Sequence, residues 1–193
     1  MKQKPRTWDW EKILEYGHFK KTDKVLETGA LFGEFAMTLS PLVESVIVTD
    51  SYDWADRRFV HEGDQDLVQV WEDNIRTRDN LKIEKADMQH LKYPEHSFDK
   101  VVCISSIEHV PNDIESIKEM MRVLKPGGLL LLTTEYHPEN EQMVVDKDKS
   151  FYRVYNGKGI NKLTEGFEVA AMEILSVNPV GFTTIFLSLR NGK

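Results

Sequence analysis

Glu27, Gly29 and Gly33 fall within one short stretch, Val25-Leu26-Glu27-Thr28-Gly29-Ala30-Leu31-Phe32-Gly33-Glu34-Phe35, and their types suit the seating of a nucleotide. A ligand approaches a backbone closely only where no side chain intervenes, which is what glycine offers. A second acid, Asp50, closes the β-branched run Ser45-Val46-Ile47-Val48-Thr49. At about 20 residues beyond the glycines, such an acid accepts hydrogen bonds from ribose hydroxyls. The plainer alternatives are an ordinary turn for the glycines and a helix cap for Asp50.

His109 offers a different chemistry. It follows Glu108, just past the apolar run Val101-Val102-Cys103-Ile104. Ligands of open parallel sheets bind at the carboxyl ends of the strands. A histidine placed there can take a proton from a hydroxyl or amine as a general base. The alternative is that Glu108 and His109 only line a pocket. Glu135, Tyr136 and His137 follow the next strand and can reach the same space. The separations among these residues fit no ligand motif, so no metal is expected.

The elements that must hold these groups alternate in type. An amphipathic helix is expected over 7–19, with Thr7 as a cap and Gly17 as a stop; it either packs on the sheet or covers the ligand. Val25-Leu26 ends a buried strand, and Glu34 to Leu39 starts a helix after the glycine turn, the unit that sets backbone N–H groups against a nucleotide. Ser45 to Thr49 is a strand, 67–76 a helix, and Leu81 to Glu84 a short strand ahead of Asp87 and Met88. Val101 to Ser105 is apolar on both faces, as a central parallel strand requires. Asn112 caps a helix through Leu124. Lys125-Pro126-Gly127-Gly128 ends it and turns into the strand Leu129 to Thr134. Such alternation implies a parallel sheet with right-handed crossovers. Residues 135–150 lack periodicity and read as a loop. A short helical stretch is expected near Ile160 to Leu163, after Gly157 and Gly159. Glu168 to Leu175 and Thr183 to Leu189 close the chain as an antiparallel pair, because the link between them is too short for a parallel crossover.

The 193 residues are expected to form one domain, with 1–22 an N-terminal helical segment. A net charge of −7 argues against a nucleic-acid partner. The single cysteine, Cys103, excludes an internal disulfide and reads as a buried structural thiol. No apolar run follows the basic N-terminus and none is long enough to span a membrane, so a cytoplasmic protein is expected.

Taken in order, the motifs resemble those of the class I S-adenosylmethionine-dependent methyltransferases. The stretch 25–33 resembles the acid-x-Gly-x-Gly-x-Gly signature, with Leu31, next to Phe32, in place of the middle glycine. Asp50 matches the acid of the second strand. Asp87-Met88 matches the pair flanking adenine, and Phe98-Asp99 with Ser105-Ser106-Ile107-Glu108-His109-Val110 matches the fourth-strand motif. Arg122-Val123-Leu124-Lys125-Pro126-Gly127-Gly128 resembles the lead-in to the fifth strand.

The resemblance implies an α/β fold: a Rossmann-like three-layer sandwich whose seven-stranded, mostly parallel sheet has an antiparallel last strand. It implies S-adenosyl-L-methionine as cofactor, held by Glu27, Thr28, Gly29, Ala30, Gly33, Asp50, Ser51, Asp87, Met88, Ser105 and Ser106. Within that set Glu27 faces the methionine amino group and Asp87 the adenine amino group. His109, with Glu108, is the candidate for catalysis. The acceptor is expected to be a small molecule roofed by the N-terminal helix, the 51–66 loop and the 135–160 segment. Tyr152, Arg153 and Tyr155 are the candidate contacts, and Arg153 suits a carboxylate or phosphate. That makes an anionic or sugar-derived acceptor an expectation. Two rival readings are a non-catalytic cofactor-binding or scaffolding protein on the same fold, and a nicotinamide-dependent oxidoreductase. Leu31 and Glu34 break the glycine pattern of the latter.

Overall fold

The computed structural model describes residues 7–30, 33–51, 73, 76–145, 151–175 and 183–192. Leu31, Phe32, the 52–66 loop and most of the expected helix over 67–76 lie outside the described residues. Of that helix only Asp73 and Arg76 are described, and both are helical.

The strands are β1 (Lys24–Thr28), β2 (Ser45–Asp50), β3 (Leu81–Lys85), β4 (Phe98–Ile104), β5 (Leu124–Tyr136), β6 (Gln142–Val145), β7 (Phe151–Val154), β8 (Glu168–Ile174) and β9 (Thr183–Arg190). Seven of them form one sheet in the order β3-β2-β1-β4-β5-β9-β8. β1 to β5 pair in parallel, β9 runs antiparallel to β5, and β8 antiparallel to β9. The strand order reverses between β1 and β4. Crossovers therefore leave β1 on opposite sides, and open α/β sheets bind their ligands at such a point, outside the carboxyl ends of the strands.

Both faces of the sheet are covered, which is why the inner strands lack polar alternation. On one face α1 (Thr7–Gly17) and α2 (Glu34–Leu39) bury Ile13, Phe35, Ala36 and Leu39 against Val25, Val46, Val102, Leu131 and Phe186. On the other, α3 (Asp113–Val123) and α4 (Gly157–Leu163) bury Ile117, Met120, Ile160 and Leu163 against Leu26, Val101, Cys103, Leu130 and Leu187. The Cys103 thiol is buried, and burial pushes its pKa up. α1 is thus one of the layers on the sheet. Tyr16 stacks on Phe186 at 5.2 Å, and Lys12 pairs with Glu173 of β8.

Three local expectations are corrected. The 135–150 segment is not one loop: β5 continues to Tyr136, and β6 pairs with β7 as a second, two-stranded sheet. Strands of four residues are too short to display a period. The Lys125 to Gly128 turn lies inside β5. Phe98 pairs with Leu124 before the register shifts, Gly127 adopts φ 76°, and a Cβ on Gly128 would lie 2.9 Å from the Asp99 carbonyl. Finally, α4 begins at Gly157 because the Asn156 side chain accepts a hydrogen bond from the Gly159 N–H at 2.9 Å.

Candidate functional site

The crevice is built where β1 gives way to the glycine turn. Gly29 adopts φ 66° and Gly33 φ 61°, both left-handed, and Gly33 leads into α2. A Cβ on Gly29 would fall 2.5 Å from Ser106 Cβ and 2.8 Å from Met88 Cε. The structure thus brings Gly29, Met88 and Ser106 together from three separate loops. Ser106 Oγ donates to the Gly29 carbonyl at 2.5 Å, and Ser105 holds φ 44°, a strained conformation for a residue with a side chain. The Ala30 N–H donates to the Thr49 carbonyl at 3.1 Å and the Gly33 N–H to the Ala30 carbonyl at 2.8 Å. These two amides are spent within the protein. At Gly29 the missing side chain lets the loops bearing Ser106 and Met88 close onto the turn.

Glu27 is 2% exposed. One of its oxygens accepts from the Ala36 N–H, while Oε2 is buried with no hydrogen-bond partner. Burial raises its pKa to about 8. The Thr28 and Thr133 hydroxyls, near the same ends of β1 and β5, are also buried without partners. Unserved polar atoms at a sheet's ligand-binding end fit a ligand that supplies the missing donors. Asp50, 7% exposed, ends β2 one step beyond Thr49, which pairs with Thr28, and Ser51 follows it. Asp87 lies exposed at the rim, where its carboxylate accepts from the Gln89 backbone N–H at 2.9 Å and side chain at 3.1 Å. Met88 points inward and is buried.

The residues expected to meet the acceptor fall in different surroundings. His109 lies exposed, its Nδ1 3.4 Å from the Phe151 carbonyl oxygen and its ring 5.5 Å from that of Tyr152. Glu108 points the other way. It is 1% exposed and its Oε2 accepts from Thr134 Oγ1 at 2.9 Å. Tyr152 donates to Glu135, and burial together with that carboxylate pushes its phenol pKa up. Tyr155, at 1% exposure, donates to Asp113 Oδ2 at 2.9 Å, and so belongs to the core rather than to an acceptor contact. Arg153 pairs with the same Asp113 and lies over the Phe151 and Tyr155 rings at 4.9 and 5.4 Å. Its charge is therefore already matched, which removes the reason for expecting an anionic acceptor there. Asp113 was not anticipated as a partner, because it is far from Arg153 in sequence and reads there only as an acid in a helix's first turn.

Among the described residues, no cluster of three or more His, Cys, Asp or Glu is placed to hold a metal. A family model described as a methyltransferase domain matches residues 26–132. The chain belongs to the methyltransferase domain family. This methyltransferase domain is 25% identical over 147 residues to the demethylmenaquinone methyltransferase of Staphylococcus aureus, covering 76% of this chain and 55% of that one. It is 26% identical over 174 residues to the ubiquinone/menaquinone biosynthesis C-methyltransferase UbiE of Pseudomonas putida, covering 86% and 63%. It thus spans little more than half the length of these curated relatives. Its fold matches the 1,6-didemethyltoxoflavin-N1-methyltransferase of Burkholderia thailandensis, solved with bound S-adenosylhomocysteine. That match has a TM-score of 0.69 at 15% identity and covers 96% of this chain and 76% of that one.

Proposed function

We propose that this methyltransferase domain transfers a methyl group from S-adenosyl-L-methionine to a small-molecule acceptor. The observation that carries the reading is the left-handed glycine turn at Gly29 and Gly33 after β1, with the buried, unserved oxygen of Glu27 near the end of the same strand. The membership in the methyltransferase domain family and the S-adenosylhomocysteine bound in the Burkholderia structure support the cofactor. In this reading Gly29, Ala30 and Gly33 give bare surface, Glu27 faces the methionine amino group, Asp50 and Ser51 hold the ribose, and Asp87 and Met88 flank the adenine. Ser105 and Ser106 form the opposing wall. The bound cofactor supplies an electrophilic methyl on a sulfonium. The chain excludes water, orients the acceptor, and holds or moves one proton, and alignment of this kind contributes roughly 7–11 kcal/mol.

His109, Phe151, Tyr152 and Glu135 favour a planar acceptor bearing a hydroxyl, and the quinone methylation named for the relatives is consistent with that. We read residues 1–193 as one domain working in the cytoplasm; no helix among the described residues is long and apolar enough to cross a membrane. A second reading, cofactor binding without turnover, is favoured by the burial of Glu108.

Calorimetry with S-adenosylmethionine and with NADH tests the cofactor: the first binds and the second does not. Release of S-adenosylhomocysteine in the presence of 1,4-dihydroxynaphthalene and related hydroquinols then separates turnover from binding alone. Asp50→Ala weakens S-adenosylmethionine binding at least about tenfold with circular dichroism unchanged, since charge-assisted bonds to hydroxyls contribute roughly 1.5–3 kcal/mol each. Unchanged affinity refutes the ribose role. His109→Ala slows turnover by about 10²-fold while the cofactor dissociation constant stays within about twofold. An unchanged rate reduces His109 to lining.

A further inference from the structure

Glu27 presents a problem that the cofactor reading alone does not solve. Its side chain is 2% exposed, one oxygen is served by a single backbone amide, and the other has no partner. Among the described residues, no cation contributes to its titration. Near this end of the strands lie Asp50 of β2, Cys103 of β4 and Glu108 beyond it, while the lysines of the same strands, Lys24 of β1 and Lys100 of β4, interact with Glu44 and with Asp23 and Asp99. Glu108 and Asp50 lie close enough to act on the Cys103 thiol, as does Glu27 whenever it is ionised. On α1, Asp9 is buried and Lys12 is held by Glu15 and Glu173. An ionised carboxylate in such a place is costly, and a group so placed stays neutral until a countercharge arrives.

We infer that Glu27 is protonated in the ligand-free protein and gives up its proton as it receives the cofactor's ammonium group, so that cofactor binding is a proton exchange. The inference rests on the cofactor reading above and deepens it. The carboxyl O–H bond breaks, the proton passes to solvent, and the carboxylate left behind pairs with the ammonium; nothing is oxidised or reduced. Burial holds Glu27 at about pKa 8 without ligand, and the incoming positive charge lowers it. Proton release is then nearly complete at pH 7 and fades above pH 8. Affinity for S-adenosylmethionine rises about tenfold per pH unit between pH 6 and 7.5, because the ligand-free state binds one proton more than the complex.

The test is calorimetry at pH 7 in phosphate, HEPES and Tris, whose ionisation enthalpies differ. With S-adenosylmethionine, the observed heat plotted against buffer enthalpy should show release of about 0.9 proton per site. 5′-Methylthioadenosine, which lacks the amino acid end, should bind the unmodified protein with a slope near zero. Glu27→Gln, which mimics the neutral acid in shape, should bind S-adenosylmethionine more weakly and release no proton. A flat buffer dependence with S-adenosylmethionine overturns the inference. So does equal release with 5′-methylthioadenosine, which would place the proton elsewhere, or persistent release from Glu27→Gln. Should Glu27→Gln fail to fold, the two ligands compared on the unmodified protein still decide. Complete failure of S-adenosylmethionine to bind overturns instead the cofactor reading beneath it.

Discussion

Gly29→Val abolishes S-adenosylmethionine binding. Two effects act at once. The backbone there holds φ 66°, where a β-branched residue is an outlier costing about 1–3 kcal/mol. The added Cβ would also lie 2.5 Å from Ser106 Cβ and 2.6 Å from its Oγ, the atom that ties the turn to the end of β4. Relief requires Ser106 or Met88 to move, and both line the proposed crevice. Calorimetry should detect no binding at ligand concentrations that saturate the parent, while thermal melting falls by an amount matching the backbone strain. Near-normal affinity in a folded Gly29→Val protein would mean that the ligand lies elsewhere.

Asp113→Ala lowers folding stability by about 3–5 kcal/mol, the usual result of removing one partner from a buried ion pair. Asp113 serves both Arg153 and the Tyr155 hydroxyl, and both charged side chains of the pair are largely shielded, at 12% and 13% exposure. Deleting the carboxylate strands the guanidinium and the phenol together. Arg153→Met combined with Asp113→Leu should cost far less than the sum of the single changes, because no charge is left unmatched. Urea unfolding midpoints check both. A loss below about 1 kcal/mol for Asp113→Ala would show the pair to be solvated and the hairpin held by other contacts.

The sheet was legible because its signal is redundant. β1, β4 and β5 are apolar on both faces, the breaks between elements fall at glycine and proline, and the alternation of strand and helix admits few topologies. The same holds for Gly29, since a left-handed turn between strand and helix demands glycine by local geometry. The acceptor side was less legible because its decisive contacts are remote. That Glu108 turns inward while His109 faces out depends on a short 3-10 turn with no period to read, and on Thr134 across the sheet. Arg153 looked available as a binding group only because its partner, Asp113, lies on another element. Burial of Glu27 could be guessed from its place on β1, but the missing partner at Oε2 could not.

The chain between β5 and α4 is fastened at its two ends by main-chain ladder bonds. The His137 N–H donates to the Tyr155 carbonyl at 2.8 Å and the Tyr155 N–H to the Glu135 carbonyl at 3.0 Å. Whatever lies between those clasps can lengthen, shorten or change composition at little entropic cost, since loop closure depends only weakly on length. The fold therefore carries an interchangeable cassette beside a fixed nucleotide seat. With the acceptor placed beside this segment as proposed above, exchanging residues 138–150 for a segment of different length should change acceptor preference while the seven-stranded sheet stays intact.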